Sequence, residues 1–193
     1  NPRVKDAIKK THDFHTRLLR ILGYETDNAY TEPFVVNAEA EPIEMIPVRH
    51  ILRRGSQVKM LIMEMQHLIP VGEQEPAGLF EQQYESEPDR NTGVQRYNAG
   101  QWEFVFKLDR NQYKISPAII NKAITQLFLM PDEHRPHFIL MLAGNTVFLF
   151  DQDKWSHGSY LQFSLDELFT QARVPAFRLY FALFHLLLSK QTL

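Results

Sequence analysis

The chain has 193 residues, of which 44% are hydrophobic and 23% are charged, a composition typical of one globular domain with a sizeable core. It contains no cysteine, which excludes disulfide bonds and thiolate metal sites and is typical of a protein kept in a reducing cytoplasm. The formal net charge of -2 disfavours a strongly basic nucleic-acid binder, although the charges are unevenly distributed and leave room for a local basic patch.

The first half of the chain predicts a helix followed by three strands. Apolar residues recur at helical spacing over 2–22, with Pro2 in the first turn and Gly23 as the stop, so we expect a helix there. The expected strands cover residues 32–38, 43–52 and 58–68. The segment 53–57, with sequence Arg-Arg-Gly-Ser-Gln, predicts a hairpin turn between the second and third strands.

The second half predicts a long loop and then alternating strands and helices. Residues 70–100 concentrate proline, glycine and acidic residues, which predicts a long acidic loop with at most one helical turn at 78–84. Strict alternation over 101–108 predicts a strand with one buried face. The remaining expected elements are a helix over 117–130 capped by Ser116, strands over 136–144 and 145–151, a short helix from a capping box at 164–167 to about 172, and a last helix from Pro175.

This order predicts one domain over 1–193 with an α/β or α+β fold, in which a mixed central sheet is flanked by helices. The most apolar stretch, 177–188, is shorter than the roughly 20 residues that a membrane-spanning helix needs, so no membrane partner is expected. That stretch predicts either burial in the core or docking to a following domain. Because the chain starts without Met and ends without a turn signal, we expect it to be part of a longer polypeptide.

Glu64 and Gln66 interrupt the apolar strand predicted over 58–68. Residues of equal parity share one face of a strand, so both side chains point the same way. A hairpin turn near residue 55 would place Glu64 opposite residues 46–47 and Gln66 near Glu44. Two carboxylates and an amide oxygen are hard ligands, so this register predicts a Mg²⁺ site held by Glu44 and Glu64. A magnesium ion there could activate water for phosphodiester cleavage.

Simpler interpretations of these polar residues stay open. Glu64 could lie at a strand end or pair with Arg49, Arg53 or Lys59. His12 and His15 are three residues apart on the first helix and could bind a metal or transfer protons, but two surface histidines are the simpler interpretation. No phosphate-binding glycine loop or nucleophile turn is present, so covalent catalysis is not expected.

A series of residues in the last third of the chain has the spacing of a known family. It comprises Asp151, Lys154, Trp155, Gly158, Tyr160, Leu161, Asp166, Glu167, Leu168 and Phe169, and an apolar helix follows it. With the weaker landmarks at 18–24 and 60–68, this series resembles bacterial DNA methylase proteins of the type IIG restriction–modification class. In those phage-defence proteins a nuclease-like region precedes an adenine-specific methyltransferase.

The resemblance implies a PD-(D/E)xK nuclease core with the order αβββαβ. Glu64 matches the glutamate of the third strand, Gln66 stands where that family has lysine, and Glu44 is the nearest candidate for the acid of the second strand. Glutamine can replace that lysine in some members of the fold, whereas its loss also marks inactive members. The resemblance further implies double-stranded DNA and the methyltransferase region of the same chain as partners, with S-adenosylmethionine bound only in that region.

Three functions are therefore compatible with the sequence. In the first, the domain is a Mg²⁺-dependent endonuclease in which Gln66 orients the attacking water. In the second, it is catalytically inactive and positions DNA or regulates the methyltransferase. In the third, it is a docking domain without nucleic-acid contact. The candidate DNA contacts are Lys5, Lys9, Lys10, Arg17, Arg53, Arg54 and Trp155, of which Trp155 could stack on a base or cover the edge of the core.

Overall fold

The protein's structure is a computed structural model. It describes residues 2–24, 32–65, 79–81, 84–88, 94–99, 102–107 and 113–170, with five further helical positions at 178, 182, 184, 185 and 188. The helices are α1 (Pro2–Ile21), α2 (Ile120–Phe128), α3 (Gln152–Trp155) and α4 (Leu165–Thr170), with one 3₁₀ turn at Leu79–Glu81. The strands are β1 (Glu32–Asn37), β2 (Ile43–Val48), β3 (His50–Arg54), β4 (Gln57–Met65), β5 (Tyr84–Pro88), β6 (Val94–Ala99), β7 (Trp102–Lys107), β8 (Tyr113–Ile115), β9 (Phe138–Ala143), β10 (Thr146–Asp151) and β11 (Leu161–Ser164).

The strands form three sheets. The largest has five strands in the order β11-β10-β9-β4-β3, and it is mixed because β4 and β9 are parallel while the other neighbours are antiparallel. A three-stranded sheet, β1-β2-β8, is also mixed, and β5-β6-β7 is antiparallel. The predicted class, mixed sheets flanked by helices, is confirmed, whereas the specific nuclease core stays a prediction.

Helix α1 covers one face of the five-stranded sheet. Its Leu18 and Leu19, with Leu22 directly after the helix, are buried together with Met60 and Ile62, which occupy alternate positions of β4. Alternate residues of a strand point to the same face, so the apolar side chains of the helix and those on this face of β4 form one apolar layer. This is the face on which the sequence placed Glu64.

The opposite face of the same sheet is buried against α2 and the β1-β2-β8 sheet. Leu61 and Met63 of β4 lie in one core with Ile124 and Leu127 of α2 and with Met45 of β2. Strands β4 and β9 are therefore covered on both sides, which explains why nearly every residue in them is apolar.

The predicted strand over 43–52 is divided at Arg49 into two strands that belong to different sheets. Strand β2 pairs with β1 and β8, whereas β3 pairs with β4 through a turn at Gly55. The register of that hairpin ends with His50 opposite Ile62. The predicted pairing of Glu64 with residues 46–47 is therefore wrong, because β2 leaves the five-stranded sheet before it reaches that position.

Two other predictions are corrected. The loop over 70–100 contains β5 and β6, polar strands that lack the apolar alternation by which strands are recognised; β5 pairs antiparallel with β6, and β6 pairs antiparallel with β7. Helix α2 starts at Ile120 with Ile119 as its N-cap, not at Pro117. The Ser116 N–H donates to the Met45 carbonyl at 3.1 Å, which keeps the chain beside β2 until after that residue.

Several elements match their predictions closely. The predicted helix over 2–22 and the strands over 32–38, 101–108, 136–144 and 145–151 correspond to α1, β1, β7, β9 and β10. Gly144 makes the tight turn between β9 and β10 with φ 58°, and Ser164 Oγ accepts a hydrogen bond from Glu167 N–H at 3.4 Å in the predicted capping box. Strand β11 was not predicted, and residues 66–68 and the start of the last helix at Pro175 lie outside the described residues.

No helix within the described residues has both the length and the apolar character needed to cross a membrane.

The burial of the apolar layer beneath α1 can be tested by its effect on the free energy of unfolding, with a matched control. Ile62 is fully buried under α1, whereas Ile21 is 66% exposed at the end of the same helix. Replacing Ile62 with Ala should lower the free energy of unfolding by about 2 to 5 kcal/mol, because it removes buried methyl groups and leaves a cavity. Ile21→Ala should change it by about 0.5 kcal/mol or less. Urea unfolding of both variants measures the difference, and equal losses would contradict the burial of β4 beneath α1.

Candidate functional site

A buried polar cluster lies where α1 crosses the end of β4. It consists of His12, His15 and Thr16 on α1, Arg49 between β2 and β3, and Glu64 on β4, and it is called the polar cluster below. The Glu64, His15 and Arg49 residues are all at least nine-tenths buried, while the His12 side chain is 32% exposed.

The local structure explains why these residues meet. Glu64 has the same strand parity as Met60 and Ile62, so it faces α1. On α1, side chains three and four residues apart lie on one face, so His12, His15 and Thr16 share a face. The polar cluster therefore continues the apolar contact of α1 with the sheet.

Two histidines hold the Glu64 carboxylate. His15 Nδ1 lies 2.7 Å from Oε1, and His12 Nδ1 lies 3.1 Å from Oε2. The Arg49 guanidinium is close as well, with Nη1 at 3.8 Å from Oε2. The predicted pairing of Glu64 with Arg49 is thus present, but the shorter contacts are to the histidines.

The Glu64 side chain is ionised in this environment. Burial is the largest single influence and raises the pKa of Glu64, since it disfavours the charged form. The hydrogen bonds from His12 and His15, together with the electrostatic attraction of both rings, outweigh burial and lower the pKa to about 2. Both carboxylate oxygens therefore act as hydrogen-bond acceptors.

The two histidines connect Glu64 to further groups. His15 Nε2 lies 2.8 Å from the Gly144 carbonyl, so both of its ring nitrogens face oxygen acceptors. His12 Nε2 lies 2.8 Å from Arg49 Nη1, which donates the hydrogen bond between them. Glu64 thus faces two imidazole rings and one guanidinium.

Arg49 completes the polar cluster from the other side. Its Nη2 donates to Thr16 Oγ1 at 2.9 Å, and Thr16 Oγ1 donates to the His12 carbonyl at 2.9 Å. The Arg49 N–H also donates to the Ile62 carbonyl at 2.6 Å, which holds the residue against β4. Arg49 Nε is buried without a hydrogen-bond partner.

These donors do not fit Mg²⁺. Magnesium needs several free oxygen ligands in octahedral geometry, whereas the Glu64 oxygens already accept hydrogen bonds and a guanidinium lies within 4 Å. Glu44 lies in β2, in another sheet, where Lys114 Nζ is 2.9 Å from Oε1. The hydrogen bond from Lys114 lowers the pKa of Glu44.

The predicted metal ligands are therefore not brought together in the described part of the chain. Among those residues, no group of three His, Cys, Asp or Glu side chains is arranged to hold a metal ion. Gln66 lies outside the described residues, so its predicted role stays a prediction.

The predicted DNA contacts form two separate groups. Lys9 and Lys10 are exposed on α1, before the two histidines that meet Glu64 near the end of β4, and Lys5 is on the same helix with its side chain outside the described part. Arg53 and Arg54 are exposed at the tip of the β3–β4 hairpin, at the start of β4.

Two further candidates complete this set. Arg17 is exposed on α1, and Lys10 forms an ion pair with Asp6 at 2.8 Å. Trp155 is half-buried: Nε1 donates to Thr125 Oγ1 at 3.1 Å and its ring meets Phe150 edge-on at 5.3 Å. That position is the one expected of a residue covering the edge of the core.

The prediction that both histidines lie at the surface is wrong for His15. His15 is 1% exposed. The sequence contains a signal for this burial, since residues 15, 18, 19 and 22 follow the spacing of one helical face and three of them are leucine. A histidine inside that stripe belongs to the buried face, opposite a polar partner.

Comparison of the chain with family models, with curated proteins and with solved structures finds no match. The geometry of the site therefore carries its interpretation. Hydrogen-bond donors enclose the Glu64 carboxylate, so the carboxylate has a structural role and is available for chemistry only if those donors move.

Removing His15 should show how much the polar cluster contributes to the free energy of unfolding. His15→Ala leaves an ionised, buried Glu64 without its shortest hydrogen bond, so the free energy of unfolding should fall by about 3 to 5 kcal/mol. His157→Ala, at an exposed histidine, is the matched control and should stay within about 0.5 kcal/mol. Chemical denaturation of both variants at neutral pH makes the comparison, and a loss under 1 kcal/mol for His15→Ala would contradict the burial of the pair.

Acid should destabilise the protein through Glu64. The pKa of Glu64 falls from its ordinary value of 4.5 to about 2 on folding, so its contribution is complete above pH 4.5 and disappears as the pH falls toward 2. The contribution is on the order of 3 kcal/mol. Urea unfolding at a series of pH values measures it. Glu64→Gln should be less stable at neutral pH and should show a flatter profile in that window; an unchanged slope would contradict this assignment.

Proposed function

We propose that this chain is a nuclease-like module of a bacterial restriction–modification or DNA methylase protein, and that it positions double-stranded DNA without cutting it. The observation that carries the non-cutting role is the engagement of both Glu64 oxygens by His12 and His15, at 3.1 and 2.7 Å. A metal-dependent nuclease needs those oxygens free for its cation. In this proposal the methyltransferase region of the same chain, with S-adenosylmethionine, supplies the covalent chemistry.

The outer face of α1 supports contact with a polyanion. Lys9 and Arg17 are exposed, lie eight residues apart on the helix, and have no carboxylate partner among the described residues. Lysine and arginine side chains in this state can neutralise phosphates and release counterions. The net charge of -2 requires that such contact be local, since the molecule as a whole does not attract DNA.

Salt-dependent DNA binding tests the proposal. The chain should bind a duplex at low salt, and Lys9→Ala/Arg17→Ala should weaken binding and reduce the slope of log K against log salt by roughly two units, about one for each lost phosphate contact. Fluorescence anisotropy with a labelled duplex measures both quantities. Lys122→Ala, an exposed lysine on α2 at the other face of the sheet, is the control and should leave the slope unchanged.

Other results would select the competing functions. Absence of binding even at low salt would reject contact with DNA and favour a docking domain. Plasmid cleavage by the chain in Mg²⁺ or Mn²⁺, reduced in Glu64→Gln, would reject the non-cutting role and favour the endonuclease.

A further inference from the structure

The polar cluster connects α1 to three separate parts of the molecule. Glu64 lies on β4, Arg49 lies between β2 and β3, and the Gly144 carbonyl belongs to the turn between β9 and β10. His15 by itself contacts two of these parts. Its Nδ1 lies 2.7 Å from Glu64 Oε1, and its Nε2 lies 2.8 Å from the Gly144 carbonyl oxygen. One helix position is thus defined by directional contacts to three segments that are distant in sequence.

The rest of the contact between α1 and the sheet is apolar and less selective. Leu18, Leu19 and Leu22 are buried against side chains such as Met60 and Leu140. Apolar contact is non-directional, and cores tolerate rearrangement of such side chains while keeping most of their burial. A leucine stripe by itself therefore permits neighbouring positions of the helix along and around its axis.

The polar cluster penalises those neighbouring positions. A displacement by one helical turn keeps the same side of the helix toward the sheet and moves each side chain about 5.4 Å along the helix axis. His15 would then lose both acceptors, and Glu64 and Arg49 would be left buried with unpaired charges, which is costly. Only the observed position satisfies the carboxylate, the His15 ring and the guanidinium together.

We propose that the polar cluster is a register lock for α1: it selects the one placement of the helix in which Lys9, Asp13 and Arg17 face solvent. Buried ion pairs contribute little net stability, because the cost of taking charges out of water offsets their attraction. Their selectivity is the larger effect, and here it determines which side of the helix any partner meets. This inference does not depend on DNA being that partner.

Spin labels can test the lock directly, because the chain has no cysteine and any introduced pair is unique. Arg17→Cys and Lys122→Cys place labels on exposed positions of α1 and α2, which lie on opposite faces of the five-stranded sheet. Double electron–electron resonance, a pulsed electron paramagnetic resonance method, then gives the distance distribution between the two labels. In the otherwise unchanged chain it should show a single narrow peak.

The decisive variant replaces the charged members by apolar residues of similar size, His15→Leu/Arg49→Met/Glu64→Leu. It should keep a cooperative unfolding transition, while the label distances split into two populations or broaden by several ångströms. A displacement of the helix by one turn moves a label by about 5.4 Å along the helix axis. The control is Leu19→Ala, which removes a buried apolar group from α1 and should lower stability while the single peak remains.

Three results would overturn the proposal. A single unchanged peak in the apolar variant would mean that leucine packing alone sets the register. Loss of cooperative unfolding in that variant would mean that the polar cluster is needed for folding itself, and not for choosing among folded placements. Broadening in Leu19→Ala equal to that in the apolar variant would also reject a specific role for the charges.

Discussion

The structure depends on one buried carboxylate. Burying an ionised group without partners costs several kcal/mol, so Glu64 at 4% exposure constrains everything placed around it. His15 must reach both Glu64 and the Gly144 carbonyl, His12 must reach both Glu64 and Arg49, and Arg49 must leave the strand direction of β2 to reach the same point. The placement of these three residues is therefore constrained by one side chain as well as by apolar packing.

The same constraint shapes the function that the geometry favours. A carboxylate that accepts hydrogen bonds from two imidazoles, next to a guanidinium, is poorly suited to a divalent cation. In a nuclease-like fold this would turn a catalytic position into a structural one. The basic residues of α1 would then be the part of the molecule that meets a partner, presented by a helix whose orientation depends on that former catalytic position.

Local pattern predicted much of the fold. The stripe of α1, the alternation of β7, the glycine turn at Gly144 and the capping box at Ser164 are all encoded within a few neighbouring residues, and each was recovered. Two of the misses have a common cause. The division at Arg49 and the late start of α2 depend on strands from elsewhere in the chain, which local pattern does not contain.

The candidate site divides in the same way. The sequence by itself determined that Glu64 is an anomaly, because a carboxylate inside an apolar strand must have a partner, and strand parity determined which face it occupies. Only the tertiary structure decided which residues contact the Glu64 carboxylate. His12 and His15 lie about fifty residues away and Glu44, the expected partner, lies in another sheet. The physical reason is that parity and periodicity specify the direction of a side chain, whereas the group it meets depends on which segments the sheet brings together.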